Sequence, residues 1–354
     1  MAASPSLLTL SAPCAVAVIG AGVSGLVCAH ELAKKGLSVS LFDKARGPGG
    51  RMSSKRRPQA TLDLGAQAFT VRDPRFAQAV KEWQLAGCAA LWPANRYQAS
   101  SSGWQTHNDD QLRYAGAPRM SAITRHMAEA LSSLPNTTLA FETPIAAFEK
   151  TSDGWQLIDQ HGATYGPFAA VIISAPPPQA YALVADWDDA LAAACKDKPQ
   201  RGCWAGWAIF ASPLPPIEGV VPNWHTVETG HEALRLATRN SSKPGREQQP
   251  ESISLLAQVA WSDTNIELAS DVAAQQLLSA FTALFPNGTA LPELIDLGAH
   301  RWRYAQPAEA GQQSYLYSEQ GLALCGDSFR GSRVEGAWLS GFELAHALLA
   351  RSVQ

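Results

Sequence analysis

Apolar residues along this chain change their spacing several times, and each change marks an element. "CAVAVIG" (14–20) is an unbroken apolar run of the buried-strand type. "VSGLVCAHELAKKG" (23–36) switches to helical spacing. Leu26, Ala29, His30 and Ala33 fall near one face, and Gly36 stands where a C-terminal stop belongs. "LSVSLFD" (37–43) is a second strand and completes a βαβ unit. Helices are predicted over 74–90, with Asp73 as N-cap and Pro74 at the first helical position, and over 118–134, with Ser121 near the start. Between them, 91–117 is rich in Trp, Ser and Gly, with short strand-like pieces, "WQTH" and "QLRYAG".

From Thr143 to Pro176 apolar and polar residues alternate around two turn signals, "SDG" and "QHG". That predicts a meander of short antiparallel strands, closed by a buried run, "AAVIISA" (169–175). The stretch 178–300 mixes helices ("DDALAAACK", "DVAAQQLLSAFTALF") with strands ("GCWAGWAIFA", "SISLLAQVAW"), and "NSSKPGREQQPES" (240–252) reads as a polar loop. The last block returns to strand, turn and helix: "GLALCGD", then "RVEGAWLSGFELAHALLA". No internal repeat is visible. The N-terminal βαβ unit is thus interrupted and completed by the C-terminus, whereas a simple dehydrogenase usually finishes its Rossmann sheet in one stretch.

Composition narrows the class. A chain of 354 residues with 46% hydrophobic and 17% charged residues has ample core for about two domains. A net charge of -3 gives no broad basic surface for nucleic acid or anionic membrane. The short run Lys55-Arg56-Arg57 reads as a solvated loop or a local anion site. Six scattered cysteines form no CxxC and no zinc-ligand spacing, which points to small buried hydrophobes in a reducing compartment. His225 and His231 are six apart without a third ligand, so no metal is expected. No apolar run reaches the ~18 residues of a membrane span. Residues 1–12 lack a basic n-region and are expected to form a flexible leader; the protein is expected in the cytoplasm.

The candidate chemistry begins at Gly20-Ala21-Gly22-Val23-Ser24-Gly25, a GxGxxG placed after a strand and opening a helix. The first glycine makes the tight turn, the second admits a pyrophosphate to the backbone, and the third lets helix and strand pack closely. Free amides at the helix start meet the phosphates. Asp43 ends the second strand 18 residues beyond Gly25, where a ribose-binding acid belongs. A carboxylate repels a 2′-phosphate, which argues against NADP here, although Lys44 and Arg46 weaken that inference. "GPGGRMSS" then puts a side-chain-free loop and the Arg51 guanidinium beside the pyrophosphate.

"DKARGPGGRM", followed by "DLGAQAFT" and by a distant GD within "LALCGDSFRGSRVEGAWLSG", resembles the flavin-containing amine oxidase superfamily. Within it the chain is similar to renalase and its bacterial relatives. "FDKARGPGGRMSSKR", "DLGAQAFTVRDPRF", "GAPRMSAITRHMA", "RNSSKPGR", "HRWRYAQPA" and "GDSFRGSRVEGAWLSG" carry that likeness from about residue 14 to 350. The resemblance implies an α/β fold of the amine oxidase/p-hydroxybenzoate hydroxylase-like type. In it, an FAD-binding Rossmann-type domain (13–75, 138–177 and 308–354) is interwoven with a mixed α+β substrate domain (76–137 and 178–307).

It also implies non-covalent FAD held by Gly20, Gly22, Ser24, Gly25, Asp43, Lys44, Gly50, Arg51, Met52, Gly65, Ala66, Gln67, Ala68, Phe69, Ile145, Asp327, Val334, Glu335 and Ala337. Asp327 is expected at the ribityl or pyrophosphate region. The helix from Val334–Glu335 is expected to point its positive end at the flavin C2 carbonyl. No cysteine lies in 300–320, and Cys325 sits within a strand, so covalent attachment is not expected.

Renalase-like enzymes oxidise dihydronicotinamides reduced at ring carbon 2 or 6, return NAD(P)+ and pass electrons through FAD to molecular oxygen, giving hydrogen peroxide. Such a donor forms an aromatic pyridinium on losing hydride. It needs stacking over flavin N5 rather than a base, so no catalytic side chain is singled out. Candidate substrate contacts are Arg239, Asn240, His300, Trp302, Tyr304 and Trp338, with Arg113 and Met120 as weaker ones. A flavin amine oxidase or desaturase-like enzyme and a non-enzymatic FAD-binding protein are the alternatives. Nothing in the sequence sets the oligomeric state.

Overall fold

The computed structural model describes residues 14–100, 102–309 and 311–350. The expected leader, 1–12, lies outside the described residues. The chain divides into two compact units. One comprises the chain to Gly50, Thr124–Gln200 and the chain from Gln306; the other comprises Arg51–Ile123 and Arg201–Ala305.

The first unit is built on a six-stranded sheet. Its order is Thr137–Ala140, Ser38–Phe42, Ala15–Ile19, Ala170–Ile173, Leu322–Cys325 and Tyr315–Tyr317. The first five strands run parallel and the last is antiparallel. Strands Ala15–Ile19, Ala170–Ile173 and Leu322–Cys325 are apolar almost throughout because the middle of a parallel sheet is covered on both faces. The predicted meander is present as Ile145–Thr151, Gly154–Asp159 and Thr164–Phe168. Its turns fall at the two predicted signals, with Gly154 and Gly162 at φ of 136° and 84°. Helix Val23–Lys34 packs along helix Val334–Leu349, and Gly341 makes this possible: a Cβ there would lie 2.0 Å from the Ser24 carbonyl oxygen.

The second unit is organised by a seven-stranded sheet. Its order is Leu294–Pro307, Gln200–Phe210, Glu251–Ala257, Leu234–Arg239, Thr226–Thr229, Arg96–Ser100 and Gly103–Thr106. Helix Ser270–Thr282 buries Ala273, Leu277, Ala280 and Phe281 in a core with Trp204, Phe210, Trp224, Ile253 and Leu255. A hairpin, Ser54–Arg56 with Thr61–Asp63, and a small sheet, Phe69–Thr70, Arg113–Gly116 and Ala89–Leu91, belong to the same unit.

Several boundaries differ from the sequence expectation. Residues 51–75 group with the second unit, because Asp63 of the hairpin is bonded into the 240–254 region. Residues 124–137 and 178–200 group with the first unit. Thr137–Ala140 extends its sheet, and Leu183, Val184, Leu191 and Cys195 enter its core. The helices expected over 74–90 and 118–134 are shorter, Pro74–Leu85 and Ser121–Ser132. Asp73 caps the first as predicted, accepting from the Arg75 amide at 2.8 Å. The strand expected over "SISLLAQVAW" stops at Ala257 and turns into helix Val259–Thr264. There the Ser262 hydroxyl and Asn265 carbonyl accept from Trp204 at 3.1 and 2.9 Å. The expected polar loop 240–252 is a loop with exposed residues over 245–249, but its first part is folded inward, with Asn240, Ser241 and Lys243 buried, and strand Glu251–Ala257 begins within it. No helix among the described residues is long and apolar enough to cross a membrane.

Candidate functional site

In the first unit the glycine turn behaves as its spacing requires. Gly20 has φ 110°, and a Cβ on Gly25 would come within 2.0 Å of the Gly20 carbonyl oxygen. A Cβ on Gly22, by contrast, would meet nothing within 4 Å, so the open side of the turn is at the second glycine. Asp43 is locked onto this turn. Its Oδ2 accepts from the Ala21 amide at 2.6 Å and its Oδ1 from the Ala45 amide at 2.7 Å. The Gly49 amide donates to the Ala21 carbonyl at 3.0 Å, which brings Gly50 (φ 51°) over Gly22. Lys44 and Arg46 are exposed beside it.

Ser174, which the sequence reading passed over, closes the back of the turn. Its hydroxyl donates to the Gly20 carbonyl at 3.0 Å, and its Oγ is the atom that added side chains at Gly20 or Gly25 would strike. The signal was available in "VIISAPP", a small hydroxyl residue at the end of a buried strand. At the other end of the unit, Asp327 opens the short helix Asp327–Arg330 after Gly326 (φ 141°) and is 7% exposed. Helix Val334–Leu349 starts without a capping bond from the Arg333 side chain. Val334, Glu335 and Ala337 form its first turn, where amides have no intrahelical acceptor until the fourth residue. Ile145 packs against the core of this unit. Trp338 is buried and stacks on Phe342 with centroids 4.7 Å apart.

In the second unit three motif segments meet on one buried carboxylate, Asp63. Its Oδ1 accepts from Ser54 Oγ at 2.7 Å and from the Met120 amide at 3.0 Å. Its Oδ2 accepts from Lys243 Nζ at 3.0 Å and from Arg246 Nη2. The Asp63 amide donates to Asn240 Oδ1 at 3.0 Å, and its carbonyl accepts from Gln67 Nε2 and Ser254 Oγ. "DLGAQ", "GAPRM" and "RNSSKPGR" therefore share one polar centre. Lys243 is fully enclosed and also donates to Gln67 Oε1 at 3.1 Å. Burial, with the neighbouring Arg246 charge, pulls its pKa down to about 8 against the opposing pull of Asp63. Asp63 is held below the usual carboxylate range: burial pushes it up, and the charges of Lys243 and Arg246 outweigh that.

The Leu64–Phe69 segment is shaped by the same framework. The Arg51 carbonyl accepts from the Ala66 amide at 3.0 Å, and a Cβ on Gly65 would come within 2.0 Å of that carbonyl oxygen. Arg51 Nη1 reaches the Ala305 carbonyl at 3.4 Å, and Met52 is buried. Trp302 Nε1 donates to the Leu64 carbonyl at 2.9 Å. Ala68 is half-buried, and Phe69 is packed against Phe76, Trp83 and Tyr114.

Residues 85–349 match the family described as flavin containing amine oxidoreductase, and residues 18–83 match the NAD(P)-binding Rossmann-like domain. The chain belongs to the flavin containing amine oxidoreductase family. Its cofactor is accordingly FAD. Among curated proteins, hydroxyneurosporene desaturase of Rubrivivax gelatinosus is 46% identical over 67 residues, 18% of this chain and 13% of that protein. A 4,4'-diapophytoene desaturase of Staphylococcus haemolyticus is 45% identical over 58 residues, 16% of this chain and 12% of that protein. These matches span about an eighth of the relatives' length.

Solved structures are alike over nearly the whole chain. A putative protoporphyrinogen oxidase from Exiguobacterium sp. 255-15 has TM-score 0.75 at 12% identity, covering 97% of this chain and 100% of that one. A triple mutant of putrescine oxidase has TM-score 0.71 at 14% identity, covering 96% and 99%. At such identities the likeness shows the fold alone.

The donor set of this family member fits its cofactor. Each Asp43 oxygen is oriented by one backbone amide and keeps lone-pair capacity for a ribose hydroxyl, while the Gly22 side of the turn leaves room for a diphosphate. The substrate candidates are less uniform. Asn240 is fully buried, its amide donating to Ser254 Oγ and its carbonyl accepting from Asp63, so both ends are committed to the fold. Arg239 is paired with Glu251 and donates to the Pro222 carbonyl at 2.7 Å. Both arrangements have one cause: the start of the segment that looks like a polar turn is folded inward around Asp63 and Glu251. Arg113 is paired with Asp109, and Met120 is fully buried.

His300, Trp302 and Tyr304 lie at alternate positions of strand Leu294–Pro307 and so share one face. The His300 ring stands edge-to-face on Trp302 at 4.5 Å. The imidazole pKa is lowered, by burial and then by the Lys55 charge. His225 Nδ1 accepts from the Asn95 amide and His231 Nδ1 from the Ala233 amide. Five of the six cysteines are buried, and Cys325 lies against Cys28.

Proposed function

We propose that this protein is an oxidase of isomeric dihydronicotinamides, reduced at ring carbon 2 or 6, acting in a reducing cytoplasm. The overall reaction is dihydronicotinamide dinucleotide + O2 + H+ → NAD(P)+ + H2O2. Bound FAD supplies the hydride acceptor at N5 and the route of the electron pair to oxygen.

The observation that carries the reading is the convergence on Asp63. The segments by which the chain resembles the renalase-like group, "DLGAQ", "GAPRM" and "RNSSKPGR", are parts of one buried hydrogen-bonded unit rather than scattered likenesses. In this reading Gly20–Gly25 and the first turn of helix Val23–Lys34 take the diphosphate, and Asp43 the adenosine ribose. Asp327 takes the ribityl region, and the first turn of helix Val334–Leu349 the pyrimidine carbonyl. The course of the Gly65–Ala68 backbone is fixed by Arg51, Gln67 and Trp302. His300, Trp302 and Tyr304 supply the substrate wall. The reaction draws a hydride from a ring that becomes aromatic, so the wall must orient and exclude water rather than remove a proton.

Anaerobic mixing of the yellow holoprotein with 2- or 6-dihydro-NAD tests this. Bleaching within a turnover, with release of NAD+, is expected; absence of bleaching overturns the reading. The family description and the putrescine oxidase fold favour amine oxidation as the second reading. Fast anaerobic bleaching by an amine would establish it instead.

A further inference from the structure

Lys55 and Arg57 of the run Lys55-Arg56-Arg57 are set apart by their partners. Hairpin strand Ser54–Arg56 alternates its side chains, so Ser54 turns inward to Asp63 while Lys55 faces the other way. Arg57 is neutralised. Its Nε and Nη2 donate to Asp296 Oδ2 and Oδ1 at 2.7 and 2.8 Å, and Trp207 Nε1 adds a third donor to Oδ2 at 2.9 Å. Asp296 therefore has little acceptor capacity left for Lys55.

The Trp207 indole lies across Gly298 of strand Leu294–Pro307, close enough that a Cβ at 298 would stand 2.3 Å from Cζ2. Lys55 Nζ sits 5.9 Å from the centre of that indole. His300 follows Gly298 on the same strand face and feels the Lys55 charge. Among the described residues no carboxylate pairs with Lys55 or His300. Two basic groups are thus brought together on a rigid, aromatic-lined strand face without an acid to match them. Trp302, against which His300 packs, is bonded to the Leu64 carbonyl next to Gly65.

We propose that Lys55 and His300 form a phosphoryl-binding subsite for the dinucleotide substrate, an anchor for its pyrophosphate or 2′-phosphate on the Trp207–Trp302 face. The inference rests on the dihydronicotinamide reading and names the part of the substrate that this face holds. An ammonium gives a point charge and the imidazole a directed N–H, and a phosphoryl oxyanion accepts from both. Arg57 and Asp296 act as positioning residues, because their bidentate pair and the Trp207 bond fix the ring over which Lys55 lies.

The test compares substrates with and without phosphate on the holoprotein, by stopped-flow reduction of the flavin. Lys55→Ala is expected to raise the half-saturating concentration of a 2- or 6-dihydronicotinamide dinucleotide about tenfold, an effect that added salt diminishes, and His300→Gln is expected to raise it as well. Under Lys55→Ala the dihydronicotinamide riboside, which has no phosphate, should show no such penalty. A penalty confined to dihydro-NADP assigns the subsite to the 2′-phosphate; one shared by dihydro-NAD assigns it to the pyrophosphate. An equal penalty of Lys55→Ala on the riboside, or none on any substrate, overturns the subsite.

If no dihydronicotinamide reduces the flavin, the functional reading fails, and the subsite is judged by calorimetry with inorganic pyrophosphate. Binding to the wild type that is weakened by Lys55→Ala upholds an anion site. No binding, or equal binding by the variant, overturns it.

Discussion

Removing the charge from Asp63 should unfold the second unit at lower temperature than any other single polar change there. Asp63→Asn keeps the shape of the side chain and deletes the counter-charge of two enclosed cations. Lys243 has no exposed side-chain surface and Arg246 has 5%. An amide also cannot satisfy the site, since four donors converge on the two oxygens: Ser54 Oγ, the Met120 amide, Lys243 and Arg246. Breaking a buried ion pair from one side costs about 3–5 kcal/mol. At roughly 2–4 °C per kcal/mol, that is a fall in Tm on the order of 10 °C.

Lys243→Met should cost far less, about 1–2 kcal/mol. Asp63 keeps Arg246 as its counter-charge, and the bonds lost are those of Lys243 to Asp63 Oδ2 and Gln67 Oε1. The two variants also separate by pH. Lys243 holds its proton less tightly in the folded protein (pKa about 8) than an ordinary lysine does. Above that value the unfolded chain binds more protons than the folded one, so this group's contribution to stability rises with pH until the ordinary lysine value is passed. The wild type should therefore gain on Lys243→Met between about pH 7 and pH 10, while the deficit of Asp63→Asn shrinks as Lys243 becomes neutral. Thermal unfolding followed by tryptophan fluorescence reads both. A Tm for Asp63→Asn within about 1 °C of wild type, or a wild-type advantage over Lys243→Met that falls with pH, would refute the account.

Gly25→Ala places a methyl 2.0 Å from the Gly20 carbonyl oxygen, so the helix must move off the turn; purified protein should lose its yellow colour and about 1–3 kcal/mol of stability. Asp43→Ala removes the acceptor of the Ala21 and Ala45 amides together with the ribose contact, and should weaken FAD binding by about tenfold or more, read by fluorescence titration of the apoprotein. Gly298→Ala forces the Trp207 indole away from strand Leu294–Pro307; a shifted Trp207 emission, measured against a Trp207→Phe background, should accompany weaker substrate saturation.

The parts of the molecule that were legible in advance are those governed by local rules. GxGxxG, its acid and the two strands around them need only a turn, a helix start and a spacing, all of which are written within Cys14–Asp43. The meander was equally plain, since alternation and two glycine turns specify it without help from distant residues. The burial of Asn240 and Lys243 is hidden for the opposite reason. Asn240, Lys243 and Arg246 look solvent-facing because they are polar, and the acids near them in sequence, Glu247 and Glu251, are not the partner of Lys243 or Arg246. Their partner, Asp63, lies 180 residues before Lys243.

Buried polar clusters are specified by pairs of segments, and a single sequence carries no mark of the pairing. Gln67, Asn240 and Lys243 are held in place through Asp63, and Gln67 also bonds to the Gly65 carbonyl. The substrate subsite proposed on the second unit rests instead on Lys55 and His300, which no carboxylate pairs with among the described residues.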